Sequence, residues 1–428
     1  MSDSAEPPSD IESGGGWIRR PLLSLTYREF RFFWTNNLLV ALGLMVEFTA
    51  RAWLIVQLTD SALVLGAVEG VFAVTFAGGS VPMGVVADRV NRRNLLLIGN
   101  ALALITAAAV GALVIADVIA IWHIVAAAAL GGLLMAVRFP ASQAMTARLV
   151  PKRDLMNATS LNTASQGLPS VIGPALGGVL VGAVGIGVVY LATTGAYLLA
   201  LLMLALGVAA SYGHIEREDV RSVTDDLREA IEYLARNKDL LKLTAAALTP
   251  FLLGQSYVLL LPLFVEQELG RGVTTFGILS TSLGVGGVAG AMTVATFGRP
   301  RQIGYVMLFG VLAVGAAAVV YGLSPWPVLT GVALMGAGAG ESAIFAAYET
   351  YLLTRLPDEI RGRVMGLSFT MVAFFPISAV AAGALADVFG LRAVAVVEGV
   401  GILLLAAVAW RMALRHVVRD GALGSDVV

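Results

Sequence analysis

Several ionisable side chains stand within long apolar stretches, where a charge is unfavourable and is therefore a sign of function. Glu47 and Arg51 are four residues apart, which places them on one face of a helix, and Glu69 follows in the next apolar stretch. These three can form an internally neutralised cluster, either a structural ion pair or a group that carries protons or contacts a substrate. Glu341 has no basic residue near it in sequence. An unpaired buried carboxylate favours its protonated form, so Glu47, Glu69 and Glu341 are the candidates for proton coupling.

Further side chains in the apolar stretches are candidates for contact with a solute. Arg138 could pair with Asp88 or bind an anionic substrate, and the pairing is the preferred interpretation. Aromatic and amide side chains offer stacking surface and hydrogen bonds, although packing or an interfacial belt is their commoner role. Glu349 follows Glu341 by two turns and could simply be solvated. The predicted lining of a substrate cavity is Arg51, Trp53, Arg138, Gln255, Tyr257, Tyr348 and Glu349.

The loop after the second apolar stretch combines small, acidic and basic residues. It reads Gly84-Val-Val-Ala-Asp88-Arg89-Val-Asn-Arg92-Arg93. The glycine permits close approach of helices, and the carboxylate can interact with basic groups or with the N-terminus of a neighbouring helix. Such a cluster can hold one side of a transporter shut, whereas the alternative is an ordinary basic loop. The predicted gate residues are Gly84, Asp88, Arg89, Arg92 and Arg93.

A second pattern combines glycine and proline, in the order Gly173-Pro174-Ala-Leu-Gly177-Gly178. Pro174 removes a backbone donor and weakens the helix, while the glycines let a neighbouring helix pack closely. The pattern predicts a bend, which is either part of a working mechanism or a tightly packed bend of ordinary structure.

The composition requires lipid as the solvent. Of 428 residues, 58% are hydrophobic and 13% charged, whereas soluble domains carry about 25% charged residues. The chain has no cysteine, which excludes disulfides and Cys-based metal sites, and its net charge of −1 argues against a nucleic-acid partner. It also lacks a Gly-x-x-x-x-Gly-Lys-Ser/Thr loop, a His-Glu-x-x-His motif and a Gly-x-Ser-x-Gly motif. We expect no cofactor, no metal and no enzymatic activity.

The apolar stretches are long enough to cross a bilayer. A membrane-spanning helix needs about 20 apolar residues, since all its backbone polar groups must be satisfied internally. The sequence therefore predicts an all-α membrane protein with twelve transmembrane helices. The predicted spans are 32–58, 63–86, 94–115, 119–140, 156–183, 187–209, 243–266, 275–297, 302–322, 327–350, 363–387 and 391–413.

The distribution of basic residues predicts the orientation. With both termini in the cytoplasm, nearly all Lys and Arg residues fall on the cytoplasmic side, as the positive-inside rule requires. The exceptions are Arg51 and Arg138 within spans and Arg271 and Arg392 outside. A missed or invented span would invert every later basic cluster, so the even number of spans is well supported.

The longest polar stretch, 211–242, separates six spans from six. Leu227, Ile231 and Leu234 recur in it at helical spacing, which predicts an amphipathic helix, with a solvated linker as the alternative. The predicted organisation is a disordered and juxtamembrane segment 1–31, a six-helix bundle 32–210, a cytoplasmic linker 211–242, a second six-helix bundle 243–413 and a cytoplasmic tail 414–428.

A weak internal repeat relates the two halves. Aligning Pro151 with Pro357 brings Gly177 onto Gly383. Sparse identities of this kind support two pseudo-symmetric six-helix bundles.

The loop from Gly84 to Arg93 resembles the signature Gly-x-x-x-Asp-Arg-x-Gly-Arg-Arg of the major facilitator superfamily, with Asn91 in place of a glycine. Asn is the residue that best tolerates a glycine-like backbone, so the departure is mild. The resemblance implies that this loop closes a cytoplasmic gate. It also implies that the first, fourth, seventh and tenth spans line a central cavity, and that the protein works as a monomer in the bacterial inner membrane.

Other stretches are similar to a bacterial efflux branch of that superfamily, which includes enterobactin and macrolide exporters. They are Leu25–Trp34, Trp53–Leu63, Leu149-Val-Pro151, Asn157 and Asn162. The pattern from Gly173 to Gly178 resembles half of the antiporter motif of drug exporters, although Pro169 replaces a glycine in the other half.

The resemblance implies a secondary transporter, with a small-molecule substrate, protons and membrane lipid as its partners. The favoured hypothesis is a proton-coupled exporter of a bulky amphipathic or hydrophobic molecule, such as a drug, a siderophore or a lipid-like compound. Import or lipid flipping on the same fold is the alternative. A membrane-embedded enzyme and a sensor that has lost transport are less favoured.

Overall fold

The computed structural model describes residues 20–87, 90–209, 223–254, 256–297, 302–357, 360, 364 and 375–409. The predicted residues Asp88, Arg89 and Gln255, the first 19 residues, the start of the linker and the tail 414–428 lie outside this part. The described residues are helical apart from short turns and connections.

The first half contains six long helices, preceded by a 3₁₀ turn at Arg20–Thr26. They are α1 (Arg28–Leu58), α2 (Ala62–Ala87), α3 (Arg92–Ile115), α4 (Ile121–Thr146), α5 (Leu155–Val184) and α6 (Ile186–Gly207). Helix α1 begins four residues before its predicted start at 32. Its N-terminal approach is held against α5, since the Tyr27 hydroxyl donates to Asp154 Oδ2 at 2.6 Å and the Ser24 N–H donates to Asn157 Oδ1 at 2.9 Å.

The second half contains longer and shorter helices, with a π-helical turn at Phe264–Glu268. They are α7 (Val223–Arg236), α8 (Lys238–Leu253), α9 (Ser256–Leu259), α10 (Leu261–Leu263), α11 (Val273–Phe297), α12 (Ile303–Leu323), α13 (Pro327–Arg355), α14 (Phe375–Phe389) and α15 (Leu391–Ala409).

Eleven stretches in the described part are long and apolar enough to cross a membrane. The predicted eleventh span, 363–387, is described mainly from Phe375 onward, where a shorter apolar helix runs over Ile377–Phe389. Apolar side chains cover these helices on nearly all sides, as expected when the surroundings are hydrocarbon.

The seventh predicted span, 243–266, lies within the candidate membrane span Leu240–Glu268, but it is not one continuous helix. Helix α8 ends at Leu253 and is followed by the short α9, α10 and the π turn. Pro250 and Pro262 each remove a backbone donor, which weakens the helix on both sides of the break.

The helices pack as two groups. In the first, α1 lies against α5 and α6, α3 against α4 and α6, and α2 against α4. In the second, α13 packs on α11 and α12, and α15 packs on α12 and α8. Helix α7 contacts α8 and places Leu234 in the core of the second group. We call these groups the N bundle (α1–α6) and the C bundle (α8–α15).

Two helix pairs join the bundles, α5 with α11 and α2 with α14. A Cβ atom at Gly178 of α5 would lie 2.9 Å from the Gly277 Cα of α11, so the two backbones nearly touch. The backbone of α14 at Gly383 contacts Ala62 and Leu63 of α2 in the same manner. Gly383 aligns with Gly177, the neighbour of Gly178, in the predicted internal repeat, so α14 in one joint corresponds to α5 in the other.

The helix ends define two faces of the molecule. The "Asp387 end" holds the helix ends at 58–62, 115–121, 184–186, 268–273, 323–327 and 389–391, and the "Arg93 end" holds those at 87–92, 146–155 and 297–303. Close glycine contacts between α5 and α11 and between α2 and α14 lie between mid-helix and the Asp387 end. The bundles are therefore joined at the Asp387 end.

Candidate functional site

A cavity of about 420 Å³ lies inside the N bundle, between α1, α2, α3, α4 and α6. Its walls are mostly Leu, Val, Ala, Met and Phe side chains. The polar groups that reach it include Glu47, Arg51, Glu69, Asn100, Arg138 and Tyr197. This volume falls within the range of small-molecule sites, about 300–1,000 Å³.

Arg51 and Glu69 form a two-pronged ion pair in the cavity wall. Arg51 Nη2 donates to Glu69 Oε1 at 3.0 Å and to Oε2 at 3.1 Å, and Arg51 Nε donates to Oε1 at 3.2 Å. Both side chains are buried. The guanidinium also lies 5.6 Å from the ring centroids of Phe48 and Phe72, a cation–π arrangement. The pair neutralises itself and fastens α2 to α1.

Glu47 stands apart from this pair. Its Oε2 accepts a hydrogen bond of 2.8 Å from the Tyr197 hydroxyl of α6. The three residues expected to form one cluster thus form two sets. Arg51 and Glu69 make a bidentate pair, and Glu47, one turn earlier on α1, bonds to the Tyr197 hydroxyl. The sequence analysis did not identify Tyr197, since an aromatic residue in an apolar helix carries no signal of its own.

Arg138 of α4 is held by neutral amides. Its Nη1 donates to Asn100 Oδ1 of α3 and its Nη2 donates to Asn37 Oδ1 of α1, both at 2.9 Å. Asn37 Nδ2 in turn donates to Asn162 Oδ1 at 2.8 Å and to Ser142 Oγ at 3.0 Å. The preferred pairing partner, Asp88, lies outside the described residues. Asparagines at matching depth in separate apolar stretches were the sequence signal for this network.

The C bundle holds two carboxylates without a Lys or Arg at ion-pair distance among the described residues. Glu341 of α13 accepts a hydrogen bond from the Tyr257 hydroxyl of α9. Glu398 Oε2 of α15 accepts from the Ser256 N–H at 3.2 Å. Tyr321 of α12 meets Tyr257 edge-on, with ring centroids 6.5 Å apart. Helix α15 thus places Glu398 beside the break between α8 and α9.

The remaining cavity candidates occupy different surroundings. Trp53 is buried against Phe276 of α11, with stacked rings 6.2 Å apart, and does not line the N-bundle cavity. The Tyr348 hydroxyl lies 3.0 Å from Thr244 Oγ1. Glu349 is exposed, which agrees with the interpretation of this side chain as a solvated carboxylate.

The described part of the predicted gate loop is built from helix caps. Asn91 caps α3, since its side chain accepts from the N–H groups of Arg93 and Asn94. Its φ of −52° is an ordinary value, so Asn91 does not need a glycine-like backbone, and capping of α3 accounts for an Asn at this position. Arg93 donates to the carbonyls of Ala205 and Val208 at 2.7 Å each, which satisfies the C-terminus of α6. Gly84 lies in α2, and Arg92 is the first residue of α3.

The glycine–proline pattern lies at the joint between the bundles. All four residues are buried, and α5 runs as one helix through Pro169 and Pro174. Gly173 and Gly177 face Met45, Val46 and Thr49 of α1, whereas Gly178 and the Pro174 carbonyl face Gly277 of α11. The Ala175 N–H donates to Thr281 Oγ1 at 3.1 Å. One surface of α5 thus packs against α1 in the N bundle, and another surface packs against α11 in the C bundle.

Asp387 of α14 forms a second contact across the bundles. Its carboxylate accepts from Ser61 Oγ at 2.7 Å, from the Ala62 N–H at 2.6 Å and from the Leu63 N–H at 3.2 Å. These groups form the N-terminus of α2, where a negative charge is favourable. We call this set of bonds the Asp387 latch.

Comparison with known proteins assigns the chain to a class. A profile of the transmembrane secretion effector family matches residues 20–425. The multidrug efflux pump Tap of Mycolicibacterium fortuitum is 26% identical over 85% of this chain and 90% of that protein. The staphyloferrin A transporter of Staphylococcus aureus is 24% identical over 84% and 90%, respectively. The enterobactin exporter EntS of Citrobacter koseri is 26% identical over 77% and 74%.

Solved structures with low identity share the fold. A bacterial homologue of the human lysosomal transporter Spinster, in an inward-facing and unoccupied conformation, superposes with a TM-score of 0.73 at 14% identity, over 95% of this chain and 99% of that one. The nucleoside transporter NupG, as a mutant, superposes with a TM-score of 0.72 at 11% identity, over 90% and 98%. Together with the family match over nearly the whole chain, these findings establish that the chain belongs to the transmembrane secretion effector family and is a multi-pass transporter of the major facilitator type, not an enzyme.

Proposed function

We propose that the protein is a proton-coupled exporter of bulky amphipathic or hydrophobic small molecules. It would act as a twelve-helix monomer in the bacterial inner membrane, with both termini in the cytoplasm. The observation that carries this proposal is the division of labour between the bundles. The N bundle contains an apolar cavity with polar anchors, and the C bundle contains half-buried carboxylates whose described partners are a hydroxyl group and a backbone N–H group.

The C-bundle carboxylates are suited to take up and release protons. Glu341 bonds to a tyrosine hydroxyl and Glu398 to a backbone N–H. A proton can join either carboxylate without breaking an ion pair, and the apolar surroundings favour the neutral form. In the N bundle, protonation of Glu69 would have to break the bond to Arg51. We therefore assign proton coupling chiefly to Glu341, with Glu47 as the N-bundle candidate and Glu69 as a structural partner of Arg51.

The contacts between the bundles support alternating access. With the termini in the cytoplasm, the Asp387 end is the outer face and the Arg93 end is the inner face. The Gly178–Gly277 joint and the Asp387 latch then close the outer side, which is the state that receives a substrate from the cytoplasm. Export requires these contacts to separate while the predicted gate residues Gly84, Asp88, Arg89, Arg92 and Arg93 close the inner side.

Transport in reconstituted vesicles tests the coupling. Inside-out proteoliposomes with an acidic lumen would be given N-phenyl-1-naphthylamine, an amphipathic dye, and dye accumulation would be followed by fluorescence. We expect accumulation that stops when nigericin collapses the pH gradient. We also expect its loss in Glu341→Gln and its retention in Glu349→Gln, a matched change at an exposed glutamate on the same helix. Undiminished accumulation without the gradient, or in both Glu47→Gln and Glu341→Gln, would refute the proposal.

The orientation is testable separately because the chain lacks cysteine. A single cysteine replacing Ser425 should react with an impermeant maleimide only from the cytoplasmic side. One replacing Ala116, which is exposed at the Asp387 end, should react only from outside. The reverse pattern would overturn the assigned orientation and, with it, the direction of the proposed cycle.

A further inference from the structure

The two arginines that line the N-bundle cavity, the buried Arg51 and the half-buried Arg138, have different hydrogen-bond partners. Arg51 has a carboxylate partner that bonds it through two oxygens. Arg138 has the amide oxygens of Asn37 and Asn100 as its hydrogen-bond partners in the described part of the chain. Amides orient a guanidinium but do not neutralise it, and arginine stays charged in proteins. Arg138 is therefore an oriented positive charge without a described counter-ion.

The Arg138 guanidinium lies at the wall of the N-bundle cavity. Arg138 and Asn100 line the 420 Å³ cavity, and Arg138 with Asn37 lines a smaller adjoining one of about 40 Å³. A guanidinium carries more N–H donors than the two that the asparagines use. Those donors can receive a planar or tetrahedral anion.

The other polar groups of the cavity are engaged. Glu69 is bonded to Arg51, and Glu47 accepts from Tyr197. Glu47 follows Asn37 by ten residues on α1, so the two levels are separated by about 15 Å along the helix axis. Between them the wall contributed by α1 is apolar, with Val40, Leu44 and Met45 among the lining residues. The cavity thus has a cationic end near Arg138 and an apolar body that extends toward Glu47.

We propose that the cavity binds amphipathic monoanions. Arg138 would donate hydrogen bonds to the anionic group, and the apolar walls would pack against the hydrocarbon skeleton. This inference rests on the proposed export function, whose substrate class it narrows. The ligand chemistry is a carboxylate, sulfonate or phosphate group on a bulky apolar molecule. Asn37 and Asn100 are positioning residues, because they aim the guanidinium.

Equilibrium binding of two matched probes tests this assignment. The dye 8-anilinonaphthalene-1-sulfonate is N-phenyl-1-naphthylamine with one added sulfonate, so the pair differs by a single anionic group. Energy transfer from the tryptophans of the purified protein to either probe would be measured in detergent micelles, without any ion gradient. Thermal unfolding of every variant would be recorded in parallel.

We expect Arg138→Gln to weaken binding of the sulfonate at least tenfold and to change binding of the neutral dye less than twofold. Arg138→Lys keeps the positive charge but loses the planar guanidinium with its paired N–H donors, so it should give an intermediate affinity for the sulfonate. Arg153→Gln, the control, removes an exposed arginine of the same bundle and should leave both affinities unchanged.

Three results would overturn the assignment. They are an unchanged sulfonate affinity in Arg138→Gln, equal losses for both probes, and a wild-type protein that does not prefer the sulfonate to the neutral dye. Equal losses would mean that Arg138 only maintains the asparagine network. Failure of gradient-dependent transport would refute proton coupling while leaving this binding comparison intact, so the two proposals fail separately.

Discussion

The N and C bundles, for which the sequence predicts an internal repeat, surround their ionisable side chains in opposite ways. The N bundle contains a bidentate Arg51–Glu69 pair and an amide-bound Arg138. In the described part of the C bundle, Glu341 and Glu398 bond to a hydroxyl and an N–H group. An ion pair holds helices in place, whereas a carboxylate without a cation can change its protonation state. The two bundles thus offer different chemistry because a few residues inside them differ.

The largest expected effect comes from breaking the ion pair of the N bundle. Glu69→Ala leaves Arg51 buried without its carboxylate, which should lower the free energy of unfolding by about 3–5 kcal/mol. Denaturation in mixed micelles measures this loss. The double variant Arg51→Met with Glu69→Met is the control, and it should recover most of the stability. A single variant as stable as the wild type would show that the pair does not fasten α1 to α2.

The joint between the bundles should respond next. Gly178→Val places methyl groups where α11 already lies, and overpacking of this kind costs about 1–3 kcal/mol. We expect the closed Asp387 end to open. Spin labels on cysteines replacing Ala116 and Val328, one on each bundle at that end, would report a longer distance. Gly195→Val is the control, because a Cβ at Gly195 meets open space. An unchanged distance distribution in Gly178→Val would contradict the role of this joint.

The Asp387 latch should have a smaller effect on the same equilibrium. Asp387→Ala removes the cap of α2 and a negative charge at its N-terminus, worth about 1–2 kcal/mol. The label distances should then show a larger open population, and Asp60→Ala at the same end serves as the control. If both substitutions behave alike, a general change of surface charge explains the result and the latch does not.

The finest comparison uses one tyrosine from each bundle. Tyr197→Phe and Tyr257→Phe each delete a hydroxyl that donates to a carboxylate, which should cost about 1 kcal/mol and roughly fivefold in the affected step. In vesicles, we expect Tyr257→Phe to lower the rate of gradient-driven transport with little change in probe affinity. Tyr197→Phe should change probe affinity more than rate. The opposite assignment of effects would reverse the roles given to the two bundles.

Much of the fold was predictable because the bilayer imposes a length on every span. The first six helices follow the predicted segments within several residues, and α7 forms in the predicted linker. The interruption of the seventh span was missed, although Pro250, Gly254 and Pro262 stand in the sequence. A hydropathy window averages over such residues, whereas the backbone responds to each of them.

Part of the site was visible as charge in an apolar stretch. Glu47, Arg51, Glu69, Arg138 and Glu341 stood out for this reason, and each is buried or half-buried in the structure. Their partners did not stand out. Tyr197 lies 150 residues from Glu47 along the chain, and Asn37 lies 101 residues from Arg138. Only the packing of the helices decides which neutral side chain meets which charge.

By itself, the sequence determined that this is a membrane protein. It also determined the approximate positions of the spans and the charges within them, because hydrophobicity and segment length are local properties. The tertiary structure decided that Arg51 binds Glu69 while Glu47 binds Tyr197, that Trp53 joins the bundles and does not line the cavity, and that Arg138 meets amides. These outcomes depend on how distant helices rotate and approach one another. Close packing through small residues sets that geometry, and no segment carries the information alone.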